Sequence, residues 1–152
     1  MSKSILKFII TGFYSGKSKY FPGTCGTIVG VFLFYFLLKN SFIINLVIVI
    51  FFYFISIILL NYAYSKSIFE IIDDRSIVID EVFGFFSFMI FFAPNFTNIL
   101  LGFTLFRFFD IFKPFPIYVL DRKFKNSFGI MTDDLIAGIY SGLILYLYNN
   151  VL

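Results

Sequence analysis

Long apolar blocks alternate with short polar segments along the chain, and this alternation sets the list of expected elements. Residues 42–60 are nearly pure Ile, Phe, Val and Leu, broken only by Asn45, Tyr53 and Ser56. As a helix this block reaches about 28 Å, close to the roughly 30 Å hydrocarbon core of a bilayer, and it predicts a transmembrane helix. Residues 28–38 are apolar but short, covering about 21 Å when helical from Cys25. Residues 82–93 and 96–106 are also short, and the breaker Ala93-Pro94-Asn95 divides them. Residues 135–152 are long enough to cross but contain Gly138, Gly142, Asn149 and Asn150, so a buried or partly inserted helix stays open. Only residues 42–60 have secure spanning length. The pattern predicts an all-α protein.

Chain parity gives an orientation. With one turn at Lys39-Asn40-Ser41 and another at Pro94-Asn95, each apolar hairpin returns to the side it left. Segments 11–27, 61–81 and 107–134 then emerge together. With the N-terminus, which carries Lys3, Lys7, Lys17 and Lys19, they hold eleven of the twelve Lys and Arg. The positive-inside rule places that face in the cytoplasm, and the basic N-terminus suits an anionic membrane surface. The first ten residues have neither the apolar stretch nor the cleavage site of a secretory signal.

Composition narrows the chemistry. The chain has 152 residues, a length for one domain, 1–152. It is 60% hydrophobic and 14% charged, against roughly 45–50% and 25% in soluble domains. That excludes intrinsic disorder and favours a membrane-associated class. The 26 Phe, 10 Tyr and many Ile, Asn and Lys resemble the codon bias of an AT-rich genome, so the Phe stripes are read as core or lipid-facing surface. With no histidine, a Ser-His-Asp triad and His-liganded zinc are impossible. Cys25 is the only cysteine, which excludes an intrachain disulfide. A net charge of +3 without a dense basic run gives no nucleic-acid partner.

The acids are grouped. Asp73, Asp74, Asp80 and Glu81 share one polar segment, Asp110, Asp121, Asp133 and Asp134 share another, and Glu70 stands alone. Asp80 precedes Gly84 by four residues, as Asp134 precedes Gly138, so on helices each carboxylate shares a face with a glycine that admits close approach. Thr132-Asp133-Asp134 also reads as an N-cap and first turn. Clustered carboxylates with no soft ligand suit a hard cation such as Mg²⁺ or Mn²⁺. Arg107, Asp110 and Lys113 recur every third position, on one helical face before Pro114. Beside a carboxylate-held metal, that face would clamp a phosphate.

The run from Gly12 to Ser18 imitates a phosphate loop, but three residues rather than four separate Gly12 from Gly16-Lys17-Ser18, and a βαβ context is missing. An NTPase is rejected. Ser15, Lys17 and Thr24 stay candidate phosphate contacts, because the turn Phe21-Pro22-Gly23-Thr24 opens an apolar helix with free amides. Cys25 is followed six positions later by Val31 instead of the arginine a cysteine phosphatase needs, and no Asp-x-Asp pair exists. A metal-activated water is the nucleophile left.

Taken in order, the motifs resemble the phosphatidylglycerophosphatase A family. The similar blocks are Ser15-Gly16-Lys17-Ser18, Pro22-Gly23-Thr24-Cys25-Gly26-Thr27 and Ser76-Ile77-Val78-Ile79-Asp80-Glu81-Val82-Phe83-Gly84. They continue with Phe106-Arg107-Phe108-Phe109-Asp110-Ile111-Phe112-Lys113-Pro114, Asp121-Arg122 and Gly129-Ile130-Met131-Thr132-Asp133-Asp134-Leu135-Ile136-Ala137-Gly138. Departures are Asp74, Tyr118 and Asn126-Ser127, where the family commonly has histidine, arginine and a glycine pair. The resemblance implies a compact all-α, membrane-associated, Mg²⁺-dependent enzyme with short apolar hairpins and polar catalytic loops on one face. It would hydrolyse the phospholipid phosphatidylglycerophosphate at the cytoplasmic face of a bacterial inner membrane. Asp80, Glu81, Asp133 and Asp134 would serve as metal ligands and acid/base groups, and Arg107, Asp110 and Lys113 would lie on the phosphate side. Two rivals stand beside this reading: an ion carrier with a carboxylate-lined path, and a phosphatase for another lipid phosphate.

Overall fold

The computed structural model describes residues 2–37, 41–69, 71 and 74–151. The expected turn at Lys39-Asn40, and the acids Glu70 and Asp73, lie outside the described residues. Among the described residues the chain is all-helical. In order come α1 (Lys3–Ile10), a 3-10 turn at Ser15–Lys17, α2 (Pro22–Leu37), α3 (Phe42–Ser65) and α4 (Ile79–Met89). Then follow α5 (Phe96–Phe112), α6 (Ile117–Lys123) and α7 (Ser127–Val151).

Local chemistry sets the ends. Pro94 lies in the connection after α4, and Asn95 caps α5, its side-chain oxygen accepting from the Asn98 amide at 2.7 Å. Lys113 closes α5 in the left-handed region, at φ 41°, just before Pro114. Asn126 starts α7 by accepting from the Gly129 amide at 2.9 Å. Thr132-Asp133-Asp134 therefore does not cap this helix, contrary to expectation. The cap lies six residues earlier, and Thr132 donates back to the Phe128 carbonyl inside the helix at 2.6 Å.

Helix α4 is the centre of the molecule. It packs chiefly on α2 and α7, and every one of its residues except Glu81 is buried. Phe83, Phe85 and Phe86 from α4 join Phe34 of α2 and Phe106 of α5 in a fully buried aromatic core. Helix α3 lies outside this core against α1, α4 and α7. Its outward residues, among them Ile43, Val47, Phe51, Phe54 and Ile58, are apolar and exposed. A charged or polar outer face would be required in water, so this face suits lipid.

Two helices, not one, have spanning length: α3 with 24 residues and α7 with 25. At 1.5 Å per residue each exceeds about 35 Å. The second gains its length from residues 127–134, which the apolar pattern had assigned to a polar segment.

Candidate active site

The polar segments converge on a cleft of about 440 Å³ at one end of the α4–α7 pair. Its floor exists because two glycines let helices touch. A methyl group on Gly84 would lie 2.6 Å from Phe106 Cζ and 3.1 Å from Asp134 Cβ. One on Gly138 would lie 2.8 Å from the Gly84 carbonyl oxygen. The glycines four residues beyond Asp80 and Asp134 thus bring the two carboxylate-bearing helices together, as the spacing predicts.

Above that contact, Asp80 and Glu81 in the first turn of α4 meet Asp134 from the second turn of α7. One carboxylate oxygen from each lies within 4.8 Å of the others. Glu81 Oε2 and Asp134 Oδ2 are buried without a hydrogen-bond partner. Each such atom ordinarily costs about 1–3 kcal/mol. Burial pushes the Asp80 carboxyl well above its usual range, with Glu81 adding like-charge repulsion. Glu81 is pushed up to about 8, again mainly by burial. Three acids held out of water in this way require protons or a cation. The donor set is all oxygen, which fits a hard divalent ion of the Mg²⁺ type.

Cations line the same cleft. Arg107 of α5 donates from Nη1 to Asp110 Oδ2 at 2.6 Å and approaches Glu81 Oε1 at 3.9 Å. Lys113 Nζ lies 2.6 Å from both Asp121 Oδ1 and Asp133 Oδ2. Burial alone would lower the Lys113 pKa, but Asp133 and Asp121 outweigh it and raise it, so this ammonium stays charged. The expected ladder of Arg107, Asp110 and Lys113 is thus divided. Lys113 leaves the helical face by its left-handed turn and reaches toward α6 and α7.

Of the four carboxylates expected as ligands, Asp133 stands apart. It faces Lys113, and the converging set is Asp80, Glu81 and Asp134. Thr24 lines the cleft, and the neighbouring Gly23 lies against the tips of the Glu81 and Arg107 side chains, which a methyl group there would push aside. Ser15 and Lys17 are not brought to the cleft. Lys17 is exposed with Nζ 4.1 Å from the Tyr14 ring centroid, and Ser15 Oγ is buried without a partner beside Gly12. Their loop has another role: Gly16 packs directly against the Ser76 carbonyl, bracing the segment that enters α4.

Arg75 and Asp121 also line the cleft, though neither was an expected site residue. Asp121 was legible as part of the Asp121-Arg122 block. Arg75 had no signal beyond adjoining the Ser76–Gly84 block. Among the departures, Asp74 builds a turn by accepting from the Ser76 amide and hydroxyl. Tyr118 lies 5.8 Å from the Arg122 guanidinium.

The family described as Phosphatidylglycerophosphatase A matches residues 8–149. A Phosphatidylglycerophosphatase A of Haemophilus influenzae is 36% identical over 144 residues, covering 93% of this chain and 86% of its own. One of Escherichia coli is 32% identical, covering 91% of this chain and 80% of its own. A Bacteroides thetaiotaomicron relative, provisionally named a phosphatidylinositol-3-phosphatase, is 32% identical over 89% of this chain and 87% of its own. No solved structure matches. With most of its length matched, the chain belongs to the phosphatidylglycerophosphatase A family.

Proposed function

We propose that this protein hydrolyses the terminal phosphate of phosphatidylglycerophosphate, yielding phosphatidylglycerol and phosphate, at the cytoplasmic face of a bacterial inner membrane. The observation that carries this reading is the triad of buried Asp80 and Asp134 with half-buried Glu81, holding two unpartnered oxygens in a cation-lined cleft. The family membership and two relatives bearing that name support it.

Asp80, Glu81 and Asp134 would hold Mg²⁺. Bound there, the ion supplies Lewis-acid charge toward the phosphoryl oxygens and the attacking water. Arg107 and Lys113 stabilise negative charge on the phosphoryl group as it transfers. Asp110 orients Arg107, and Asp133 with Asp121 orients Lys113, so both cations are fixed before substrate arrives. A carboxylate of the cleft takes the proton of the attacking water. Thr24, at the start of α2 and in the cleft lining, would donate to a phosphate oxygen. The apolar outer faces of α3 and α7 hold the site at the bilayer, where the substrate's acyl chains remain.

Purified protein in detergent with Mg²⁺ should release phosphate from phosphatidylglycerophosphate, and a chelator or Asp134→Asn should abolish the release. An Asp134→Asn variant as active as the parent would sink the proposal. The Bacteroides relative's name favours a second reading, a different lipid phosphate as substrate. Phosphate release compared across head groups separates the two.

A further inference from the structure

Resting on the phosphatidylglycerophosphate reading, we propose that Arg75 binds the internal phosphodiester of the substrate and so sets head-group preference. Three cationic side chains line the cleft: Arg75, Arg107 and Lys113. Arg107, paired with Asp110 and near Glu81, and Lys113, paired with Asp121 and Asp133, are the two cations assigned above to the transferring phosphoryl group. Among the described residues Arg75 has no ion pair, and it is an exposed residue of the cleft lining. It is therefore the cation left to meet a second anion.

Its backbone is fixed. The Ser76 amide and hydroxyl donate to Asp74 Oδ1 at 2.9 and 2.7 Å, and the Ile77 amide donates to the Asp74 carbonyl at 2.8 Å. The Val78 amide donates to the Ile10 carbonyl at 3.2 Å, tying the segment to α1. Gly16 closes the other side against the Ser76 carbonyl. Among the described residues, the carboxylate next to Arg75 is Asp74, which spends Oδ1 on Ser76 and makes no ion pair with the guanidinium. This hydrogen-bonded turn thus carries a guanidinium that has no ion pair among the described residues, in a cleft that the exposed Tyr20 and Phe21 also line.

The substrate has the matching shape. One glycerol unit separates its terminal monoester from an internal diester. With the monoester at the carboxylate end, the diester lies toward the mouth and the acyl chains lie beyond it. Arginine suits two oxygens of a phosphodiester through its planar fork. The product phosphatidylglycerol keeps only the diester, whereas inorganic phosphate can occupy only the monoester position.

The test compares the full chain with Arg75→Ala and Arg75→Lys in detergent micelles containing Mg²⁺. For Arg75→Ala, the KM for phosphatidylglycerophosphate and the inhibition constant of phosphatidylglycerol should each rise about tenfold, the worth of one exposed charge-assisted contact. The inhibition constant of inorganic phosphate should move by less than about threefold, under the effect of one such contact. Arg75→Lys should recover part of the loss. Equal shifts for both inhibitors, or a fall in kcat with KM unchanged, would overturn the assignment. If the parent releases no phosphate from this lipid, the functional reading fails. Calorimetric titration with phosphatidylglycerol micelles then decides for Arg75 alone, since equal affinity in parent and Arg75→Ala overturns it and weaker binding in the variant supports it.

Discussion

Asp133 grips Lys113 at 2.6 Å, and this contact separates two adjacent acids into two jobs. Asp134, one residue on, turns the other way, toward Asp80 and Glu81. Consecutive helical residues point about 100° apart, so one Asp-Asp pair serves both a cation-positioning lysine and a carboxylate cluster.

The two aspartates should therefore fail differently. Asp134→Asn should reduce phosphate release to background and remove the Mg²⁺-induced rise in thermal midpoint. Asp133→Asn should keep most of that rise while losing about 10–100-fold in activity, the scale of a lost supporting contact. Thermal melts with and without Mg²⁺, beside phosphate assays, check the pair. Identical losses of metal response in both variants would refute the division.

The Gly84 contact predicts a packing defect. Gly84→Ala places a methyl 2.6 Å from Phe106 Cζ, and overpacking of this kind costs about 1–3 kcal/mol. Because Asp134 Cβ is 3.1 Å from the same methyl, activity should fall as well. Adding Phe106→Leu should restore part of the thermal midpoint. No recovery in the double variant would place the strain elsewhere.

Metal binding should depend on pH. Glu81 ordinarily titrates at 4.5 and here at about 8, so below pH 8 the ion must displace its proton. Mg²⁺ affinity should rise with pH up to about 8, by about tenfold per unit for each proton displaced. The metal-free protein should behave oppositely. Between 4.5 and 8 its folded state holds a proton that the unfolded chain has lost, so stability falls as pH rises. A drop of at least about 5 °C in thermal midpoint from pH 5 to pH 9, reversed by Mg²⁺, is the expected result. A metal-free midpoint that rises over this range would contradict it.

The Gly16 loop offers a contrast. Gly16→Ala drives a methyl into the Ser76 carbonyl and should lower both stability and activity, by about 1–3 kcal/mol in the first case. Lys17→Ala, on an exposed side chain outside the cleft, should change kcat/KM less than about twofold, as surface changes usually do. A large loss of kcat/KM in Lys17→Ala would return this loop to phosphate contact.

Much of this protein was legible in its residues. Helices α3, α4 and α5 follow the apolar blocks, and the breaker Ala93-Pro94-Asn95 falls between α4 and α5 as expected. The paired spacings of Asp80 with Gly84 and Asp134 with Gly138 pointed to the contact that forms the cleft floor. The start of α7 was misread, because Thr132-Asp133-Asp134 satisfies the same local rule as the true cap at Asn126. Capping motifs are short, and a packed helix can carry one in its interior.

What the sequence by itself determined is what repeats locally: the helical periods, the histidine-free inventory, and the carboxylates grouped near apolar helices. Tertiary structure alone decided which of them meet. Asp133 and Asp134 share charge, size and neighbourhood, and only the direction of α7 sends one to Lys113 and the other to Glu81. Arg75 joined the cleft, and Lys17 left it, through contacts that Gly16 and Asp74 make with the segment entering α4. The Gly16 contact with Ser76 links residues 60 positions apart. Spacing along a helix fixes a face, but the partner of that face is set by packing.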